Sequence, residues 1–321
     1  MKSEADSLFL GGKTMVTPQL TVPRLQSSPG LLLPQHDGLE NLFLLDRNAV
    51  SLILRHSRAT IIRGGTEYRH IRQLERLDKR GNLISLFAST LEGINPKKET
   101  ITSDYRIRCL RDEINAVKNF YKKARTDADF LSSRASILSS CDMFDSFPRC
   151  MHFLCEASSL LYQPVSSTTY DTVCHDILEI AKICDIPKGH PVVMCALACL
   201  YGNEDARDML KFKKNYSFST AYNAMSDITT ILFTASTNEL MRSQHSSNSK
   251  IHFFSFDKAL IKIFNSFVTS GFHAEYKKIV PPDGSGGEQS VSFTVGKLPH
   301  EFFPKCSDEQ YNELIKLLYD V

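Results

Sequence analysis

The chain has 321 residues, enough for one large domain or two small ones, with apolar, aromatic and charged fractions of an ordinary globular protein. With 38 basic residues against 36 acidic ones, the net charge is +2. That balance excludes a surface-wide field for a polyanion, so any nucleic-acid surface has to be local. The longest apolar run, Val192–Tyr201, is too short to span a bilayer, so no membrane partner is expected. Lys2, Glu4 and Asp6 precede only a very short apolar patch, which does not make a secretory signal.

The nine cysteines are odd in number and include no C-x-x-C pair, which argues against a disulfide framework. Cys195 and Cys199 share a helical face, and Cys150, His152 and Cys155 lie close in sequence. Buried free thiols explain them better than a zinc site. A reduced, cytoplasmic protein is expected.

Residues 1–40 are rich in Pro, Ser, Gly and Gln and read as a poorly regular arm or short edge strand. Asn41–Leu45 is a continuous apolar run ending at Asp46, as in a buried parallel strand. A helix follows over Asn48–Arg55, with Asn48 near its start. The pattern of Glu67–Arg80 is helical. Arg69, Arg72, Arg76, Lys79 and Arg80 form one stripe, and Tyr68, Ile71, Leu74 and Leu77 form the other half. Gly81-Asn82 is expected to end that helix. Leu83–Ala88 reads as a second strand that delivers Thr90 and Glu92.

Residues 100–220 look mainly helical, with segments at Ser103–Arg125, Thr169–Cys184, Pro191–Tyr201 and Ala206–Phe212, separated by Pro148, Pro164 and Pro187. Tyr222–Met241 is a strong helix with Asn223, Asp227, Thr230, Thr234 and Asn238 on its polar face. A polar loop at Ser243–Ser249 leads to a third strand, Ile251–Phe256, and a helix, Lys258–Val268. The tail reads as a hairpin, Ala274–Val280 with Ser290–Val295, and a closing helix, Asp308–Tyr319, capped by Ser307. Alternating strands and helices predict an α/β fold with a parallel sheet.

Four acids stand out in this frame. Asp46, Glu92 and Asp257 each follow a strand-like run, the end at which parallel sheets build sites, and Asp227 would approach from a packed helix. Clustered carboxylates repel one another unless a divalent cation holds them together. The set predicts a Mg²⁺ or Mn²⁺ site made of Asp46, Glu92, Asp227 and Asp257. Asn48 and Ser255, two residues from Asp46 and Asp257, would orient a carboxylate or bound water, with Asn223 in support. Asp127, Asp129, Asp142 and Asp145 read as helix-end or loop acids.

The segment Leu44-Leu45-Asp46-Arg47-Asn48 resembles the opening of PIN-domain nucleases, where a strand ends in an Asp-Thr-Asn-like turn. Ser89-Thr90-Leu91-Glu92, Asp227 before an apolar helix, and Phe254-Ser255-Phe256-Asp257 resemble the later acidic positions. The likeness covers residues 41–96 and 222–268. It implies a PIN-like central parallel sheet flanked by helices and a metal-dependent endonuclease acting mostly on RNA. Many bacterial members of that family are toxins or growth-arrest effectors, and an antiphage role fits the same chemistry. Arg47 departs from the usual small hydroxyl residue, and the stretch between Glu92 and Asp227 is longer than the family needs. The expected organisation is an arm at 1–40, a PIN-like domain at 41–270 with a helical insertion at about 100–220, and a hairpin and helix at 271–321.

The Arg69–Arg80 stripe, preceded by Arg55, Arg58 and Arg63, is the expected nucleic-acid contact surface. The long helical stretch leaves open an inhibitory or activating protein partner, a homo-oligomer, or a non-catalytic PIN-like scaffold.

Overall fold

The structure is a computed structural model that describes residues 40–91, 103–133, 147–244, 250–279 and 288–319. Residues 1–39 of the expected arm, Glu92, Asp142, Asp145, residues 245–249 of the expected polar loop and the turn between the hairpin strands lie outside the described residues. The elements, in chain order, are β1 Asn41–Leu45, α1 Arg47–Ser57, α2 Thr66–Glu75, β2 Asn82–Ser85, α3 Phe87–Leu91, α4 Ser103–Phe120, β3 Arg125–Thr126 and α5 Ala128–Ser133. There follow α6 Phe147–Leu161, α7 Tyr170–Ile183, α8 Pro191–Leu200, α9 Glu204–Leu210 and α10 Phe218–Gln244. The chain then runs through β4 Lys250–Phe254, α11 Lys258–Thr269, β5 His273–Ile279, β6 Glu288–Thr294 and α12 Asp308–Tyr319.

Strands β1 to β4 form one parallel sheet in the order β3-β2-β1-β4. The α/β class is therefore as expected. From β1 the chain builds outward through β2 and β3, then returns to lay β4 on the other side of β1. The switch point of the sheet lies between β1 and β4, where open α/β sheets form their crevices. Leu44 pairs with Phe253 and Leu45 with Phe254, so the two strands end level.

Several expected boundaries move. The Glu67–Arg80 helix stops at Glu75. Beyond it, Leu77 N–H bonds to the Leu74 carbonyl and Asp78 N–H to the Glu75 carbonyl, each at a spacing of three residues. Asp78 then accepts the N–H groups of Lys122, Lys123 and Ala124, which pins the turn after α4. The second strand ends at Ser85 rather than Ala88, and Thr90 sits on α3. Ser103–Arg125 divides into α4 and the short strand β3. A helix not foreseen, α6, begins at Phe147. Pro148, read as a separator, sits in its first turn, where a missing N–H costs little.

Two large side-chain cores organise the described residues, with a small third cluster of Leu42, Leu44 and Leu83 on the sheet. One joins β1, β2, α1, α2 and α4 through residues such as Leu45, Ile53, Ile71, Leu74 and Val117. The other joins α6 to α12 and includes Phe153, Leu197, Met225, Phe267, Phe302 and Leu318. At its centre α8 is buried along its whole length, which its lack of a polar face requires. Its ends are finished locally. Val192 N–H donates to Nδ1 of His190, and Gly202, at φ 81°, turns the chain out so that Asn203 N–H reaches the Ala198 carbonyl at 2.8 Å. Asn203 then caps α9 by accepting the Ala206 N–H.

The hairpin β5–β6 is antiparallel, and α12 starts with a reciprocal cap. Gln310 N–H donates to Ser307 Oγ, and Ser307 N–H donates to Gln310 Oε1. No helix among the described residues is long and apolar enough to cross a membrane.

Candidate functional site

Strand β1 places Asp46 one residue before α1, and the Asp46 N–H still pairs with the Phe254 carbonyl of β4. Asp46 is 1% exposed. It occupies the N-cap position of α1, yet its side chain does not cap that helix. Instead Oδ2 accepts Ser255 Oγ–H at 2.6 Å and the Asn48 side-chain amide at 3.3 Å. Oδ1 is buried with no hydrogen-bond partner among the described residues. A buried carboxylate oxygen without a donor is costly, and a site that keeps one calls for an explanation.

Asp257 lies across the switch point at the start of α11. Its Oδ1 accepts the Leu260 N–H at 3.1 Å, and its own N–H donates to Ser255 Oγ at 3.0 Å. Ser255 thus links the two acids. Helices α1 and α11 both begin here, so two positive helix ends face the same region. Asp227 comes from α10, which packs on α3, α6 and β5. Burial raises its carboxyl, the Asp46 charge raises it further, Lys211 offsets part, and Asp257 adds, to give about 8. Three acids from distant parts of the chain therefore share one electrostatic neighbourhood.

They do so without converging on a point. Among the described residues, no three His, Cys, Asp or Glu side chains lie close enough to hold a metal ion between them. Of the supporting residues, Asn48 and Ser255 both donate to Asp46. Asn223 is exposed, one turn before Asp227 on α10. Glu92 falls outside the described residues.

Arg47 turns away from the acids. Its guanidinium grips both oxygens of the buried Glu113, at 2.6 and 3.1 Å, and reaches the Ser89 carbonyl. Burial raises the Glu113 carboxyl, and Arg47 offsets part of that rise. The contact ties α1 to α3 and α4. Asp127, expected to be a helix-end or loop acid, is fully buried. It accepts Ser85 Oγ–H at 2.5 Å and Leu86 N–H at 3.1 Å, and joins the ends of β2 and β3. Burial lifts its carboxyl to about 6 despite those bonds.

The basic stripe is shorter than the sequence suggests, because α2 ends before Arg76. Arg69, Arg72, Arg76, Lys79 and Arg80 are all exposed, with Arg72 paired to Glu75 at 2.6 Å. Next to Arg69, the His70 ring stacks on Phe256 at 4.1 Å and 10°. Phe256 lies between Ser255 and Asp257, so α2 is seated against the loop that carries the acids. An open cleft of about 280 Å³ between α1 and α4, lined by Arg58 and Asp112, lies toward the far end of α1 from Asp46.

Cys150 and His190 are buried neighbours, with Sγ and Nε2 3.8 Å apart. Burial, with the Arg149 charge, lowers the His190 imidazole to about 4, and His152 is exposed. The eight described cysteines are free thiols.

No protein-family model, curated protein or solved structure matches the chain.

Proposed function

We propose that the protein is a metal-dependent, PIN-like nuclease that hydrolyses phosphodiester bonds, preferentially in RNA. The observation that carries this reading is the bare Oδ1 of Asp46. It is buried at a parallel-sheet switch point, within the electrostatic reach of Asp227 and half-buried Asp257. Oxygen donors of this kind suit a hard divalent cation, Mg²⁺ or Mn²⁺. Asp46 and Asp227 would hold it, with the free Oδ2 of Asp257 and with Glu92 as the fourth acid.

When bound, such an ion would lower the pKa of a water so that, once it has lost a proton, it attacks phosphorus as hydroxide, and would supply positive charge for the phosphate oxygens. The residues of the chain do the positioning. Ser255 and Asn48 fix Oδ2 of Asp46, so that Oδ1 is held for a ligand. The first turns of α1 and α11 present backbone N–H groups and partial positive charge to an anion. The exposed arginines of α2, held beside Asp257 by the His70–Phe256 stack, would bind the sugar–phosphate backbone.

A second reading, a non-catalytic scaffold, is favoured by two observations. The acids stand apart, and Asp257 already uses one oxygen as a helix cap. Cleavage of mixed RNA and DNA substrates, with EDTA and Mn²⁺ arms, separates the two. The nuclease reading expects Mn²⁺-dependent products that Asp257→Asn abolishes while its circular dichroism stays native. Full activity in Asp257→Asn, or no activity with Mn²⁺, removes it.

A further inference from the structure

Among the charges acting on Asp227, the cation is Lys211, which has no task in the chemistry proposed for Asp46, Asp227 and Asp257. Lys211 follows the last turn of α9 in the left-handed conformation, with φ 55° and ψ 38°. A residue with a Cβ takes that conformation at a cost, and glycine is the usual occupant of such a helix end. The side chain is exposed, and among the described residues no salt bridge ties its ammonium.

Packing places it. Helix α9 lies against α11, and Lys262 of α11 reaches Asp205, at the start of α9, at 2.8 Å. From that contact, the step to Lys211 along α9 covers about 9 Å and the step to Asp257 along α11 about 7.5 Å at helical rise. Asn203, just before α9, donates to the Phe302 carbonyl, and the Phe302 ring meets Phe267 near the far end of α11, so the two helices run in opposite senses and the C-terminus of α9 arrives at the N-terminal end of α11, where Asp257 lies. The charge of Lys211 acting on Asp227 agrees with that placement. Its neighbour Phe212 is buried, which anchors the backbone from which Lys211 projects.

We infer that Lys211 binds a non-bridging phosphate oxygen of a nucleic-acid strand at the rim of this site. A mobile ammonium is a point donor to phosphate, and beside three carboxylates it lessens the repulsion that an incoming phosphate meets. The inference rests on the phosphodiester reading and names a residue that positions the substrate within it.

Lys211→Gly tests it, because glycine suits this backbone and separates binding from folding. Binding of a fluorescein-labelled single-stranded RNA, and of the matching DNA, is followed by anisotropy in EDTA across a salt series. Relief of the left-handed strain should raise the melting temperature of the variant. Affinity should fall about fivefold, and the slope of log affinity against log salt should shrink by roughly 0.7, the share of one phosphate contact on a single strand. Equal affinity and slope in the two proteins overturn the inference and leave the nuclease reading standing. If the wild type binds no strand, both fall. If the variant loses affinity but the wild type shows no Mn²⁺-dependent cleavage, the phosphate contact stands and the nuclease reading falls.

Discussion

At the scale of single residues, the site turns on what surrounds one carboxylate. Asp46 could have capped α1, as an Asp before a helix commonly does. Its oxygens are used elsewhere, and Ser255 decides how. That hydroxyl donates to Asp46 and accepts from the Asp257 N–H, so one small side chain sets the spacing across the switch point. Ser255→Ala removes both contacts without adding bulk. It should weaken Mn²⁺ affinity by about 10–100-fold, as loss of a group orienting a metal ligand does. The cost in fold stability should be about 1–2 kcal/mol, near that of an unmet buried hydrogen bond. Isothermal titration and urea denaturation of the variant read the two effects separately. Unchanged Mn²⁺ affinity would mean that Asp46 is not held for a cation.

At the scale of elements, the short strand β3 is secured by Asp127 rather than by length. Its two residues give few ladder bonds, and the buried carboxyl bonds to Ser85 and Leu86 on the neighbouring strand end. Folding raises this carboxyl from the usual range to about 6. Native Asp127 thus binds a proton more tightly than the unfolded chain does. The sign follows: its contribution is fully present below about pH 4 and is lost as pH rises through 6. Asp127→Asn removes that dependence. The stability of wild type relative to variant should rise by roughly 2 kcal/mol between pH 7.5 and 4.5. Parallel denaturation profiles over that range would show that the carboxyl is not titrating there.

Elements with strong periodicity are legible in the sequence. α12 starts and ends where Ser307 and the apolar spacing place it, and α8 and α11 lie within one residue of expectation. β3 is not, because two residues carry no period. The α2 boundary is missed for a different reason. Leu77 continues the apolar spacing and packs at the core margin, so the pattern runs on after the backbone has changed to tighter turns.

At the scale of the whole molecule, the parallel sheet decides the geometry. β1 and β4 lie about two hundred residues apart in sequence and end level, which sets Asp46 beside the Ser255–Asp257 turn. The sequence could suggest that these acids belong together, since each follows an apolar run. It could not show that Asp46 keeps a bare oxygen, because this depends on Ser255 turning toward Oδ2. Nor could spacing show that Arg47 serves Glu113, a partner on another helix. The helices between the strands form a second core that carries α10 and α9, and with them Asp227 and Lys211, to the sheet end. The same core takes in α12, so the C-terminal elements brace the helical layer.

The proposed function requires these separated acids to make a common cation site. Titration of the protein with Mn²⁺, followed by electron paramagnetic resonance, tests it most directly. Wild type should take up Mn²⁺ with loss of the free-ion signal, and Asp46→Asn, with its native fold verified by circular dichroism, should leave that signal undiminished. A wild type that binds no Mn²⁺, or an Asp46→Asn protein that binds it equally well, would contradict the account.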